Sequence, residues 1–415
     1  MKNHNLISNV NFRVIFLLLF FVILTMRFGR KMLEGYDAWD FFPTYYAAKN
    51  ILTGADIYAY CGFGSYYTRT PIFALILSPL GLLPRNISSF VWCLLNTVAL
   101  GTIFVICEKM FLRTKNTKNF FWIIIAPITL LLLSRPLVSG FLLGQVDILM
   151  LCFIMLALFF KERNKLIPAA LFFTFAVSIK LTPLVFLPYF LLKKETKFVC
   201  RVLFFTAVFI FIPALFVSWG RNLALLRDWY QSLKMFNPID RSAFPAPWYQ
   251  SLEIFFRRFL FSDNFNFSLF KAPTIFAKYL FYLAFIAIYI PLILRPKHAG
   301  QEIKAPAQII DYNILIIAMT IFSPLAADYT YVNLVVPITF LLYMFRAERL
   351  YQRPVFFISA ALFSIFNFFT GTKVFRLIGI YSIQGESYIY LIFMTVVWQA
   401  LALLFMLIYL KHKTN

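Results

Sequence analysis

Two carboxylates stand three residues apart in Tyr36-Asp37-Ala38-Trp39-Asp40-Phe41-Phe42-Pro43-Thr44-Tyr45-Tyr46, directly after an apolar run. A carboxylate held at the mouth of an apolar bundle can serve as a general base, because partial burial raises its pKa toward working pH. The plainer alternative for either one is a helix cap or an interfacial ion pair. Lys180 stands in Ser178-Ile179-Lys180-Leu181-Thr182-Pro183, inside a region otherwise apolar over 166–192. A lysine at that depth is costly and calls for an anionic partner, unless its stem snorkels to the interface. Arg69, in Tyr66-Tyr67-Thr68-Arg69-Thr70-Pro71, and the pair Arg257-Arg258 are further cations able to grip a phosphate through forked hydrogen bonds.

Gly144-Gln145-Val146-Asp147 opens another apolar run. Free amides at a helix N-terminus favour anions, so Gln145 and Asp147 can form one wall of a phosphate pocket; simple capping by Asp147 is the alternative. Asp328, ahead of Tyr329-Thr330-Tyr331, and Gln250-Ser251 can line the same cavity, although hydroxylated aromatics are also ordinary interface residues. His4, His298 and His412 fall at the termini or in one basic link, which excludes a histidine base in the membrane region. The five cysteines show neither metal-ligand spacing nor a disulfide framework.

The elements that must position these groups are built for lipid. The chain's 415 residues are 61% hydrophobic and 13% charged, whereas soluble domains carry roughly 25% charge. No water-exposed surface can be made from that, and the expected fold is an all-α polytopic membrane protein with 1–415 as one integral membrane domain. Apolar runs at 12–28, 87–107, 120–133, 145–160, 166–179, 182–192, 199–219, 275–294, 309–322, 329–345, 354–370 and 388–410 predict about twelve spans. Several fall short of the roughly 20 residues a crossing needs and must be extended, broken or buried among other helices. The first run has no small-residue cleavage pattern and is followed by Arg30 and Lys31, so it reads as an uncleaved span.

The formal net charge of +22 comes from 39 Lys plus Arg against 17 Asp plus Glu. The basic residues gather in short links at 109–118, 161–165, 193–201, 295–304, 346–353 and 411–413. Placing both termini in the cytoplasm puts every one of those links inside, as membrane topology demands, and leaves nucleic acid a poor partner. The outer side then receives the long segments 30–86 and 220–272, and the links 134–144, 323–328 and 371–387. All acids but Glu108, Glu162, Glu195, Glu302, Asp311 and Glu348 fall there too. Within the first segment, 41–52 suits a short amphipathic helix in the interface, and 71–83 a re-entrant hairpin or short helix.

At these residues the chain resembles glycosyltransferase family 87, membrane enzymes of the GT-C type that include polyprenol-phosphate-mannose-dependent mannosyltransferases. The resemblance rests first on Asp40-Phe41-Phe42-Pro43-Thr44-Tyr45-Tyr46-Ala47-Ala48, Leu52-Thr53-Gly54, Asp56-Ile57-Tyr58 and 66–71. It rests next on Gly144-Gln145-Val146-Asp147 followed by Ile179-Lys180-Leu181-Thr182-Pro183, then on Gln250-Ser251-Leu252 with Arg257 or Arg258, Ser323-Pro324, Asp328, Tyr331 and Pro337. The chain departs from the family pattern at Asp147, Tyr249 and Tyr329-Thr330. The resemblance implies a GT-C type fold and an inverting transfer of a hexose, mannose-like by preference. The donor would be a polyprenyl-phosphate sugar at the outer face, and the acceptor a lipid or a glycan. No metal and no other cofactor would take part. Asp40 would be the base, with Asp37 as second candidate. Lys180 and then Arg69 would steady the phosphate, and Gln145, Asp147, Tyr45, Tyr46, Gln250, Arg257, Asp328 and Tyr331 would contact substrates.

Two other classes fit parts of this pattern. A transporter or flippase of lipid-linked sugars also has many spans and buried charge, but its charges should lie near the midplane on symmetry-related broken helices. Here they gather at the outer ends of spans, and no internal repeat is visible. A noncatalytic assembly subunit would not need Asp40, Gln145 and Lys180 facing one cavity.

Overall fold

The computed structural model describes residues 11–36, 38–61, 66–112, 117–235, 249–260, 275–293, 307–348 and 395–414, with a few positions between 350 and 363. Among these residues every regular element is a helix. In chain order they are α1 (Phe12–Leu33), α2 (Phe42–Asn50), α3 (Pro71–Ile76), α4 (Ser78–Gly81), α5 (Arg85–Phe111), α6 (Lys118–Leu132), α7 (Ser134–Leu143), α8 (Asp147–Lys161) and α9 (Leu166–Ile179). There follow α10 (Thr182–Leu192), α11 (Thr196–Val217), α12 (Trp219–Met235), α13 (Leu252–Phe259), α14 (Ile275–Ile293), α15 (Ala307–Ile321), α16 (Asp328–Ala347) and α17 (Thr395–Thr414).

Six of these, α1, α5, α11, α14, α16 and α17, are long and apolar enough to cross a membrane, or seven with α6 and α7 taken as one broken span. That is fewer full crossings than the twelve apolar runs suggest. The runs at 145–160, 166–179, 182–192 and 309–322 do become helices, but short ones, and α8, α9 and α15 bury most of their side chains inside the bundle. The run at 354–370 lies mostly outside the described residues.

Two breaks in the helices shape the site. The stretch 134–144, expected as a plain outer link, is instead helix α7, bent by 69° from α6. Its first turn contains Pro136, which removes no needed donor there because the first amides of a helix have no internal acceptor. At its other end Gly144 adopts a left-handed conformation (φ +70°), and the Gln145 and Gly144 amides donate back to the carbonyls of Gly140 (2.9 Å) and Phe141 (3.3 Å). This is the reciprocal pair of bonds that closes many helices at glycine. The second break follows Ile179, where Lys180 is extended (φ −155°, ψ 141°) and Pro183 follows, so the chain turns and descends again as α10.

Helix ends alternate between two poles. The starts of α8, α10 and α16 and the ends of α7, α9 and α15 meet at one pole, beside α2, α3 and α12. The opposite pole collects Lys161, Lys193 and Lys411, whose sequence neighbourhoods suggested bare basic links. Among the described residues they are paired. Lys161 Nζ lies 2.7 Å from Glu195 Oε2 and donates to the Tyr312 hydroxyl at 3.1 Å. Asp311 accepts from Tyr189 (3.1 Å) and from Lys411, with Lys193 Nζ at 3.5 Å. Glu108 sits between Arg13 (3.6 Å) and Lys118 (3.5 Å). Buried charges persist only with such partners, since an unpaired ion in a low-dielectric interior is strongly unfavourable.

Candidate active site

The site begins with the turn that carries Asp40. The amides of Asp40 and Phe41 both donate to the Leu143 carbonyl, at 3.0 and 3.2 Å, docking this turn on the last residue of α7. The approach is close enough that a Cβ on Gly144 would lie 2.6 Å from Phe41 Cβ and 3.0 Å from Ala38 Cβ. Trp92 of α5 locks the junction, its indole N–H donating to the Gly144 carbonyl (2.9 Å) and its ring stacking on Phe41 at 5.1 Å. One residue beyond Gly144, the side-chain Nε2 of Gln145 donates to Asp40 Oδ2. The glycine therefore brings a loop after the first span into register with an amide more than a hundred residues away.

The cations come from two further elements. Lys180, at the break between α9 and α10, places Nζ 3.0 Å from Asp147 Oδ1 on the first turn of α8. Asp147 is wholly buried, and its Oδ2 has no hydrogen-bond partner among the described residues. Arg69 lies on the loop before α3, and side-chain to backbone bonds hold that loop in place. Thr70 donates twice to the Ser178 carbonyl, from its amide (3.4 Å) and its hydroxyl (2.8 Å). Tyr58 donates to the Arg69 carbonyl (2.9 Å), Tyr67 to that of Thr70 (2.9 Å), and the Trp229 indole to that of Thr68 (3.1 Å). Because Ser178 is two residues before Lys180, these bonds bring both cations to the same two carboxylates, Asp40 and Asp147.

A cavity of about 700 Å³ opens between these elements, within the range of small-molecule binding sites. Its lining includes Asp40, Arg69, Gln145, Lys180 and Tyr329, and also the apolar Val177, Leu181, Phe281, Phe285 and Phe322, with Phe281 and Phe285 packed edge-on against Phe322. Burial raises the Asp40 carboxyl above its ordinary value; Arg69, the Gln145 hydrogen bond and Lys180 oppose that rise, and Asp147 adds to it. Burial lowers the Arg69 guanidinium, opposed by Tyr67 and by the Asp40 and Asp147 carboxylates. Partly desolvated titratable groups facing a cavity mark candidate functional sites.

The residues singled out from the sequence separate into three groups. Asp40, Arg69, Gln145 and Lys180 share the cavity wall. Asp147 and Asp328 stand behind it: Asp147 holds Lys180, while Asp328 accepts from Ser139 (3.1 Å) and the Tyr329 amide (2.7 Å), with Arg135 Nε 3.7 Å away. Asp328 thus fastens α7 to α16 and presents Tyr329 to the cavity. The remaining described residues are not among those that line the cavity. Tyr45 donates to the Leu83 carbonyl (3.0 Å), the Tyr46 carbonyl accepts from Asn50 (3.0 Å), and Arg257 pairs with Glu253 (2.9 Å). The fully buried Tyr331 donates to the Gln250 carbonyl at 2.6 Å, and the buried Gln250 carboxamide has no partner among the described residues. Asp37 lies outside the described residues.

Sequence reasoning missed Tyr66, Thr68, Trp229 and Leu233, which also line the cavity. For Trp229 and Leu233 a signal existed, because Leu225, Leu226, Trp229 and Leu233 recur at helical spacing among polar and charged residues.

The family profile that matches the chain, over residues 67–324, is that of glycosyltransferase family 87. The match takes in Arg69, Gln145 and Lys180 and starts after Asp40. No curated protein matches the chain.

Proposed function

Since the chain belongs to glycosyltransferase family 87, a family of membrane glycosyltransferases, we propose that it transfers a hexose, mannose-like by preference, from a polyprenyl phosphate to a hydroxyl of a lipid or glycan acceptor. The observation that carries this reading is one cavity lined both by a carboxylate with two cations and by a set of apolar side chains. A phosphate-linked sugar on a hydrocarbon chain has the matching division of chemistry.

In this reaction Asp40 removes the acceptor proton while the freed oxygen attacks the anomeric carbon, and the bond from that carbon to the phosphate oxygen breaks with its electron pair left on the phosphate. A single displacement inverts the anomeric centre. Gln145 holds Asp40 Oδ2 and leaves the other oxygen for the proton. Lys180 and Arg69 face the charge that builds on the leaving phosphate; fixed cations in a site with little water stabilise such charge without reorganising. The cluster of Asp40, Asp147, Lys180 and Arg69 is formally neutral. Adding the donor's phosphodiester gives it one negative charge, and transfer keeps that total, because Asp40 becomes neutral as the phosphate gains its second charge.

The acids and cations of the site stand at helix ends at one pole, with the basic residues of the short links at the other. By the tendency of Lys and Arg to remain cytoplasmic, the site faces the outer side and both termini the cytoplasm. A flippase, the alternative reading, would use charges nearer the midplane; the pole position of Lys180 and Asp40 supports the transferase.

The test is transfer from radiolabelled polyprenyl-phosphate sugars into membrane lipid extract by purified protein, comparing wild type, Asp40→Asn and Asp37→Asn. The expected result is product from wild type and a loss of about 10²- to 10⁴-fold in Asp40→Asn with donor binding kept, as for removal of a general base. Asp37→Asn should retain most of the activity. A folded wild type that consumes no donor across common sugars would sink the proposal and make counterflow of lipid-linked sugar across vesicles the next assay.

A further inference from the structure

We infer that helix α12 lies in the membrane surface, with its outer stripe at the boundary between acyl chains and headgroups, and that this contact braces the cavity wall formed by its inner face. The occupant of the stripe is the lipid bilayer. Trp219, Leu223 and Tyr230 are 58%, 47% and 58% exposed. At 3.6 residues per turn their spacings of four and seven put them on one face. The opposite face is engaged with protein: Asn222, Leu225 and Ser232 are buried, and Trp229 and Leu233 line the cavity.

The stripe carries the chemistry of an interfacial helix. Aromatic and aliphatic side chains are flanked by cations: Arg227, whose side chain is 69% exposed beside Asp228, and Lys234, whose ammonium stands 4.4 Å from the centre of the Tyr230 ring. Such helices bury the apolar stripe among acyl chains and leave basic residues at headgroup phosphates. Trp and Tyr concentrate at the same depth.

The span before α12 fixes that depth. Helix α11 has 22 residues, about 33 Å at 1.5 Å per residue, close to the roughly 30 Å of hydrocarbon in a bilayer. It ends with Leu215 and Phe216 exposed, and the chain turns at Ser218 (φ +75°) straight into α12. Trp219 stacks on Phe211 of α11 (5.5 Å, 14° between planes), so the lipid-facing wall of the span runs without interruption into the stripe. An apolar face beginning where a span leaves the hydrocarbon meets the interface before it meets water.

The inner contacts give this placement a consequence. Besides the Trp229 bond to Thr68, the Arg221 guanidinium donates to the Ala55 carbonyl. Both tie α12 to the segment that ends in Arg69, so a helix seated on the bilayer steadies the loop bearing one of the site's cations. The inference needs only a membrane-spanning chain and holds whichever sugar is transferred.

The test places nitroxide labels at Leu223→Cys, Tyr230→Cys and, as the control away from the stripe, Gln231→Cys. The background is Cys61→Ser/Cys200→Ser, which leaves the three buried cysteines in place, and the protein is in vesicles of mixed neutral and anionic phospholipid. Labels at 223 and 230 should collide more with oxygen than with a water-soluble nickel chelate, and the label at 231 the reverse. Equal nickel access at all three positions would mean the stripe faces water and overturn the inference. Exclusion of both reagents at 223 and 230 would overturn it as well, because another part of this chain, a second copy or a partner protein would then be the cover. A second measurement needs no cysteine changes: lipids brominated high on the acyl chain should quench less of the total emission in Trp219→Phe than in wild type. Equal quenching in the two proteins would count against the inference.

Discussion

Lys180 and Asp147 form an ion pair at 3.0 Å in which the acid is wholly buried and the lysine reaches the cavity. The two come from different helices, one at the break after α9 and the other on the first turn of α8. The carboxylate therefore neutralises the lysine from behind and leaves its remaining N–H donors for a ligand, as a preorganised phosphate cation requires.

Removing only the lysine should cost both stability and transfer. In Lys180→Met the Asp147 carboxylate stays buried without its partner, a change that destabilises by about 3–5 kcal/mol. Replacing both, in Asp147→Leu/Lys180→Met, should recover most of the melting temperature, because an apolar pair leaves no unpaired charge. Transfer should remain lost in the double variant. Recovery of transfer alongside stability would reduce Lys180 to a counter-ion.

With Asp40 as the proposed base, the reaction should have an acid limb. A base works only when unprotonated, and burial raises this carboxyl above its ordinary value. Activity should therefore fall as pH drops through that raised pKa, at a higher pH than for a solvated aspartate. The Gln145 hydrogen bond favours the ionised form. Gln145→Leu should accordingly move the limb of kcat/KM further toward neutral pH, besides lowering the plateau. A limb at the same pH in both proteins would disconnect it from Asp40.

Gly144 makes a sharper prediction about geometry. Any other residue there takes a left-handed conformation, at about 1–2 kcal/mol, and its Cβ would press on Phe41 Cβ from 2.6 Å. The Asp40 turn must then withdraw from Gln145. Gly144→Ala should lose transfer by a larger factor than its fall in stability explains, seen as a kcat/KM loss in protein that still melts cooperatively. Wild-type transfer from Gly144→Ala would mean that the docking of the Asp40 turn is irrelevant to the reaction.

The contrast between Lys180 and Gly144 marks what the sequence could and could not tell. Asp40, Arg69, Gln145 and Lys180 are legible because a charge or amide at the edge of an apolar run is costly and demands a reason. The helix 166–179 is legible end to end, since a continuous apolar run and a following Lys-x-x-Pro mark both limits. Which face a residue presents is set by long-range packing and was not legible. Asp147 reads as a wall residue and stands behind the wall; Tyr45 sits in the same motif as Asp40 and turns to Leu83 instead. The bend between α6 and α7 hid for a similar reason, because Ser134-Arg135-Pro136 interrupts the apolar pattern as a loop would. Only the Arg135, Ser139 and Asp328 contacts reveal a helix fastened across the site.

The opposite pole offers a variant that should separate stability from catalysis. Asp311 is 2% exposed and faces Lys411 and Lys193 while accepting from Tyr189. Asp311→Asn keeps an acceptor for the tyrosine but leaves two lysines facing each other with no anion between them. The loss should be about 3 kcal/mol, read as a lower melting temperature in lipid nanodiscs. Part of that loss should be recoverable in Asp311→Asn/Lys411→Met, which removes one of the repelling charges. Below the melting transition KM and kcat should match wild type, because nothing in this cluster reaches the cavity. A fall in kcat/KM with an unchanged melting temperature would show that the poles communicate, most directly through α10, which runs from the Lys180 break to Lys193.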